Sequence, residues 1–499
     1  MKQYDCLIIG AGIGGLISAL KLSSVGKKVL LLEKQPVAGG FGTSFSRKGF
    51  TFESSLHCVD ALAEGGEIRQ FLQESGIENK VKFIELKDFC RIIYPEHDFV
   101  ADFNSDNLQN FLKNNFPAEA KNLDKLFSEF SGFYRQFDRF YYSKLPAWLN
   151  LMLCPFISPK IIKMSLFATG EVINRYIKDE KLRGMLGDIW RFIGLPPEEL
   201  SAFYFLIVFR GYFYNPTVYV QGGYNRIFQA IVEKIRENGS EVKLSTTIEK
   251  IITCNGAVRG VITEKEEEFT APVVISNANA ISTLTELLDN QSVREIYKKK
   301  LSCLKKSISA FQVYLGLRFP AKQLGMSNFM YSLNSTYNHN DNFKYSLEGN
   351  YQFCPLSLVD HAQVDSSLVP EGKGSLLIMA LDSYFNWNSL TDEEYRQKKI
   401  EAAQQLINRA EKYLPGLSSN IEVMEIASPR TMAHYGVSPE GAIYGFSQTV
   451  KQASINRLPQ KTVIKGLILA GAWTQPGAGV HGCFVSGIDA ANLALSQLR

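Results

Sequence analysis

Three short stretches of the chain combine residue types and spacings that suit chemistry. The first, Gly10-Ala11-Gly12-Ile13-Gly14-Gly15, fits G-x-G-x-x-G. In that pattern the first glycine permits a tight turn. The second lets the backbone approach a pyrophosphate, and the third lets a helix pack closely on a strand. Glu33 follows at the distance expected of an acid that receives ribose hydroxyls. The second stretch, Gly39-Gly40-Phe41-Gly42-Thr43-Ser44, is another glycine turn, read as a second phosphate contact. The third, Pro476-Gly477-Ala478-Gly479-Val480-His481-Gly482, lies near the other end. Free amides at a helix N-terminus attract phosphate, so these stretches predict a bound dinucleotide.

The elements that must position them are legible on either side. Cys6-Leu7-Ile8-Ile9 reads as a strand buried on both faces. Ile13, Leu16, Ile17 and Leu20 recur at helical spacing, and Lys28–Leu32 reads as a second strand. Gly222-Gly223 precedes a helix running to about Asn238, then a strand at Glu241–Leu244 and a meander through Ile262. Val273–Asn277 reads as a strand returning to the first sheet, and Leu467–Ala472 as another, followed by a helix from about Phe484 to Leu498. Strand–glycine–helix units at opposite ends of the chain predict one domain assembled from distant segments.

At 499 residues the chain is too long for one compact core. Its 45% hydrophobic and 21% charged residues are ordinary for a folded protein. The net charge of +4 gives no footing for nucleic acid as a partner. Eight scattered cysteines without C-x-x-C pairs suggest neither zinc nor a disulfide framework, and no metal site is expected. With no secretory leader and no long apolar run, the expected location is the cytoplasmic side, soluble or peripherally membrane-associated.

From about Asp60 to Gly211 helical segments and aromatics dominate. Leu145–Tyr176 mixes apolar residues and prolines with Lys160, Lys163, Arg175 and Lys178. Such a mix suits a membrane surface, cations meeting headgroups, and equally a helical subdomain with its core on one face. Alternating runs and one amphipathic helix between 291 and 424 read as a sheet-containing substrate domain, with Asn334–Asn350 as a loop.

Together these pieces resemble the FAD-dependent phytoene desaturase, carotenoid isomerase and retinol saturase family, within the flavin amine-oxidase-like superfamily. The matching stretches are Gly10–Leu16 through Glu33, Gly39-Gly40 with Thr43, Phe52–His57, Gly222–Tyr224, Gly239–Val242, Val274–Ala278, Ser428–Thr431, Pro439–Gly445 and Leu469–Gly479. The chain departs from the family's pattern at Phe41, Glu53-Ser54-Ser55 and His481.

The resemblance implies an α/β fold: a discontinuous Rossmann-like FAD-binding domain with a central parallel sheet (1–60, 215–290 and 425–499), a mainly helical, membrane-facing subdomain (61–214) and an α+β substrate domain (291–424). It implies FAD held by Gly10, Gly12, Ile13, Gly14, Gly15, Glu33, Lys34, Gly39, Gly40, Phe41, Thr43 and the backbone of Val242. Gly471 and the Gly477, Gly479, Val480 turn would sit by the isoalloxazine. His57 and His481 would face the flavin and move the proton that accompanies hydride transfer, or serve only structure there. Tyr435 and Tyr444 would line the substrate channel or pack as core, and the other four histidines are read as structural. Glu53 is expected to cap or pair with a cation. The implied reaction is desaturation, saturation or cis–trans isomerisation of a polyene isoprenoid. Quinone, oxygen or a transient NAD(P)H would be the electron partner, because no second G-x-G-x-x-G occurs. Two alternatives share the scaffold: an amine or porphyrinogen oxidase, and a lipid carrier or escort protein without redox chemistry.

Overall fold

The apolar runs read from the sequence pair as one parallel sheet. A computed structural model describes residues 3–86, 90–101 and 105–498. Its strand order is Leu467–Leu469, Val273–Ser276, Cys6–Ile9, Val29–Leu32, Glu241–Lys243. Every neighbouring pair is parallel. Four residues at the centre, Cys6–Ile9, are fully apolar because both faces are covered. The first helix, Ile13–Ser24, and the last, Gly479–Gln497, pack against each other. Ser18 donates to Gly14 O and Gly487 O at 2.8 and 2.9 Å, and a Cβ on Gly487 would lie 2.6 Å from Gly14 O. Small residues thus let segments more than 450 positions apart in sequence touch backbone to backbone.

A second sheet of seven strands forms the other half. Its order is Ile421–Ala427, Ser309–Leu317, Gly374–Asp382, Leu356–Val359, Met330–Leu333, Cys90–Ile93, Asp98–Ala101. The last two come from within the 61–214 segment, Cys90–Ile93 pairing parallel to Met330–Leu333. The amphipathic helix, Asp392–Glu411, opens with a capping box at Thr391 and Glu394. It buries Ala402, Ala403, Leu406, Ile407 and Ala410 in the core of this sheet.

Three expectations change. The Asn334–Asn350 stretch contains a helix, His339–Leu347, rather than a continuous loop. Asn338 caps it by accepting from Asn340 N and Asp341 N, and His339, Asn342, Phe343 and Ser346 are buried, so polar residues supply the inward face. The final helix begins at Gly479, five positions earlier than read, because the glycine turn is itself its first turn. Lys160 and Lys163 are not unpaired cations; both pair with Glu129, their side chains 29% and 39% exposed.

Within 105–214 the aromatics build core. Phe127 and Phe130 of the Ala120–Tyr141 helix each make an edge contact with Phe209 of the Ala202–Tyr214 helix. Helices Ala147–Ile157 and Pro159–Leu166 leave Leu151, Met152, Phe156 and Leu166 exposed. Among the described residues no single helix is long and apolar enough to cross a membrane. The pair Leu149–Ile157 and Pro159–Leu166, bent by 87°, passes that test only when joined.

Candidate active site

A cavity of about 1510 Å³ lies between the two sheets and the helical segment. Single-ligand pockets run roughly 300–1,000 Å³, so there is room for two molecules. One set of walls is polar and glycine-rich: Gly10, Gly12, Ile13, Gly14, Glu33, Lys34, Gly39, Gly40, Phe41 and Thr43. The other is largely apolar, including Phe137, Phe192, Phe203, Ile207, Val208 and Tyr212. Gly479, Val480 and His481 line it too, as do His57, Tyr435 and Tyr444.

The two N-terminal glycine turns abut. Gly39 N donates to Ala11 O at 2.8 Å, and a Cβ on Gly40 would fall 3.2 Å from Gly12 Cα. The Ile13–Ser24 helix has no side-chain cap and no acidic residue in its first turn, so its leading amides remain free for an anion. Glu33 is buried and holds Ala11 N at 2.6 Å and Gln35 N at 2.7 Å. Each carboxylate oxygen keeps a lone pair for a ribose hydroxyl. Burial raises its pKa, against those amides. The residues therefore fit the pyrophosphate and ribose of FAD. Glu33→Ala is expected to orphan two backbone donors at about 1–3 kcal/mol each and to abolish FAD retention. Denaturant unfolding and flavin absorbance after desalting measure the two effects.

Four of the residues expected to hold the cofactor do not line this cavity. Gly15 packs under the turn, where a Cβ would meet Gly10 O. Gly471 and Gly477 make room for Asn277 and Gln448. Val242 lies within the ladder, paired with Leu31, and its carbonyl accepts from Arg236. Thr246, Thr247 and Ile248, just beyond that strand, line the cavity in its place.

Asn277 was not singled out from the sequence. It follows the Val273–Ser276 strand, lines the cavity, and crowds the space that side chains on Gly12, Gly14 or Gly471 would need. Its signal was position: the carboxyl end of a parallel strand beside the first one, where such sheets bind ligands. Gln448 and Tyr204 were also missed. Tyr204 donates to Ala478 O at 2.8 Å, bracing the C-terminal turn from the helical segment.

The two histidines are shifted in opposite directions. His57 is buried beside His361, its Nδ1 has no partner among the described residues, and burial pushes its pKa down to about 4. His481 sits in the first turn of the last helix and donates from Nε2 to Glu67 at 3.0 Å; Tyr141 donates to the same carboxylate at 3.1 Å. Burial alone would lower the His481 pKa, but the Glu67 hydrogen bond and the charges of Asp60 and Glu67 outweigh it and raise the value. Glu67 is correspondingly lowered, chiefly by that hydrogen bond. Because the folded His481 value lies above the unfolded one and the folded Glu67 value below its own, the pair's contribution is complete between about pH 4.5 and about pH 6.5 and is lost as pH rises through the folded His481 value. Wild type should lose thermal midpoint over that rise relative to His481→Gln; parallel midpoint–pH curves would contradict the ion pair.

Tyr444 donates to Arg191 O at 3.2 Å and Tyr435 stands exposed at the rim. Glu53 does not meet a cation. Its carboxyl accepts from Tyr219, Ser44 and the Tyr224 amide, none of which is charged. His339 is structural as expected, accepting from Trp190 and donating to Gly184 O.

Comparison with known proteins agrees with this geometry. Prolycopene isomerase of Daucus carota is 25% identical, over 100% of this chain and 81% of its own length. The 4,4'-diapophytoene desaturase (4,4'-diapolycopene-forming) of a Methylomonas species is 26% identical over 99% and 95%. All-trans-retinol 13,14-reductase of Danio rerio is 26% identical over 94% and 82%. Among solved structures, an oxidoreductase from Methanosarcina mazei superposes with a TM-score of 0.66 at 18% identity, over 98% and 100% of the two chains. Residues 13–495 match the family of flavin containing amine oxidoreductases, and the chain belongs to that family, as a flavin-dependent oxidoreductase.

Proposed function

We propose that the protein is an FAD-dependent oxidoreductase acting on a polyunsaturated isoprenoid, a carotenoid or retinoid, by desaturation, saturation or cis–trans isomerisation. The observation that carries this is the single cavity in which a glycine-lined dinucleotide wall continues into a wall of aromatic and aliphatic side chains. The relatives named for polyene substrates support it. FAD, when bound, supplies a two-electron acceptor or donor.

The chain's own residues do the rest. Amides at Gly479–His481 open a helix with no side-chain cap and no acid in its first turn, and so favour negative charge beside them. His481, whose pKa Glu67 raises, is the group suited to give a proton to the substrate; His57, near 4, holds none at neutral pH. The apolar wall excludes water around the polyene. Quinone, oxygen or a nicotinamide restores the cofactor's redox state.

The test is anaerobic incubation of FAD-loaded protein with a panel of carotenoids and retinoids. A product lighter or heavier by two hydrogens indicates redox turnover, and unchanged mass with shifted retention indicates isomerisation. No product from any polyene, together with turnover of amines, would sink the reading.

The exposed Leu151, Met152, Phe156 and Leu166 lie on the two helices that follow Tyr141 and Tyr142 in the chain, and those two tyrosines line the cavity. A bilayer surface is the proposed partner of this patch. Co-flotation with anionic liposomes, weakened in a Phe156→Ser, Leu166→Ser double variant, is the expected result.

A further inference from the structure

Arg457 is 2% exposed, yet among the described residues no carboxylate pairs with it. Its guanidinium is satisfied entirely by carbonyls: Nε donates to Thr474 O at 2.9 Å, Nη1 to Phe446 O at 3.0 Å, and Nη2 to Ala472 O at 2.5 Å and Tyr444 O at 3.5 Å. These carbonyls belong to two segments. Tyr444 on one and Ala472 with Trp473 on the other line the cavity, and the second runs on through Pro476 and Ala478. Only a planar fork with several donors can join two backbones in this way; a lysine offers a point charge.

Burying a charge without a counter-charge is costly, and carbonyl dipoles solvate it without cancelling it. The neighbouring groups from other elements do not cancel it either. Tyr204 on the Ala202–Tyr214 helix and Cys483 on the last helix are both held neutral, each pushed up to about 12 chiefly by burial. A net positive charge therefore sits directly behind a wall of the cavity, where the low dielectric screens it weakly.

We propose that Arg457 is a positioning residue for the cofactor. It clamps Tyr444–Phe446 to Ala472–Thr474, and its unneutralised charge favours the reduced, negatively charged state of the bound flavin over the neutral oxidised one. The inference rests on the FAD reading above but on no particular substrate.

The experiment is an anaerobic dye-coupled titration of the flavin midpoint potential in FAD-loaded wild type, Arg457→Met and Arg457→Lys, with a thermal melt of each. Removing the charge in Arg457→Met is expected to shift the two-electron equilibrium at least tenfold toward the oxidised form, a fall of about 30 mV. Arg457→Lys keeps the charge but loses the fork, so its potential should stay near wild type while its melting temperature falls. An unchanged potential in Arg457→Met would overturn the proposal, as would an Arg457→Lys potential as low as that of Arg457→Met. If the methionine variant does not fold, the lysine variant decides: a wild-type potential supports the proposal and a lowered one overturns it. Wild type that takes up no FAD would instead refute the cofactor reading, a result visible before any titration.

Discussion

A Gly15→Val chain is expected to emerge from FAD incubation and desalting without yellow colour, retaining less than about a tenth of the wild-type flavin. A Cβ at this position would lie 2.0 Å from Gly10 O and 3.2 Å from Asn277 Cβ. Neither neighbour can yield. Gly10 makes the phosphate turn at φ +90°, and Asn277 stands at the end of the adjacent strand, between Gly12, Gly14 and Gly471. The helix must therefore back away from the sheet, taking its free amides with it. Gly26→Asn is the control. Gly26 is also left-handed, at φ +78°, but an added Cβ there meets nothing within 4 Å, and asparagine tolerates that conformation. Wild-type flavin content in Gly15→Val would show that close helix–sheet contact is not what holds the cofactor.

Replacing Glu53 by glutamine is expected to make the protein more stable than wild type in mild alkali and no different in acid. Glu53 is 1% exposed, and burial pushes its carboxyl up to about 7, aided by the charge of Asp365 and opposed by its three hydrogen bonds. An unfolded glutamate titrates near about 4.3. With the folded value raised, the group's contribution is complete below about pH 4 and is lost as pH rises through about 7. Full ionisation then removes on the order of 3 kcal/mol. Glutamine can keep the geometry: its oxygen accepts from the Tyr219 hydroxyl and the Tyr224 amide, and its nitrogen donates to Ser44 Oγ. Glu53→Ala, which orphans the Tyr224 amide in a buried site, should be weaker than wild type at every pH. Urea unfolding at about pH 5 and about pH 8 reads all three proteins. Superimposable wild-type and glutamine curves at the higher pH would mean the buried carboxyl carries no such load.

What could be read directly from the sequence were features set by neighbours in the chain. The glycines of both N-terminal turns, the acid at Glu33 and the buried strands each serve a local geometric need, so each left a local mark. Val242 shows where that stops. A strand was legible there, but which of its residues reaches the ligand depends on the register with Leu30–Leu32, which no local pattern encodes. Thr246 and Ile248, beyond the strand, line the cavity, and Val242 does not. Asn277 was missed because its role arises from three glycines in two separate segments. The short strands Cys90–Ile93 and Asp98–Ala101 were lost among helices because only pairing with Met330–Leu333 makes them a sheet. His339–Leu347 was hidden by a polar inward face. The histidines could be named, but their opposite pKa shifts depend on tertiary surroundings: burial at His57, and at His481 the partner Glu67, far away in sequence.

The contact between the first helix and the last has a consequence for how the protein is made. The Gly10–Gly15 turn leaves the ribosome well before the sheet edge at Leu467–Leu469 and the helix that packs on Gly14, which are synthesised hundreds of residues later. Domains generally fold as units during synthesis, N-terminal part first. Here the nucleotide half cannot close in that order. The Ser309–Leu317 sheet and its covering helix are complete earlier and can fold while the nascent chain is still growing. Cofactor loading is therefore expected late in biogenesis, and a message truncated before residue 467 should yield a chain with a finished Ser309–Leu317 sheet and an incomplete nucleotide sheet.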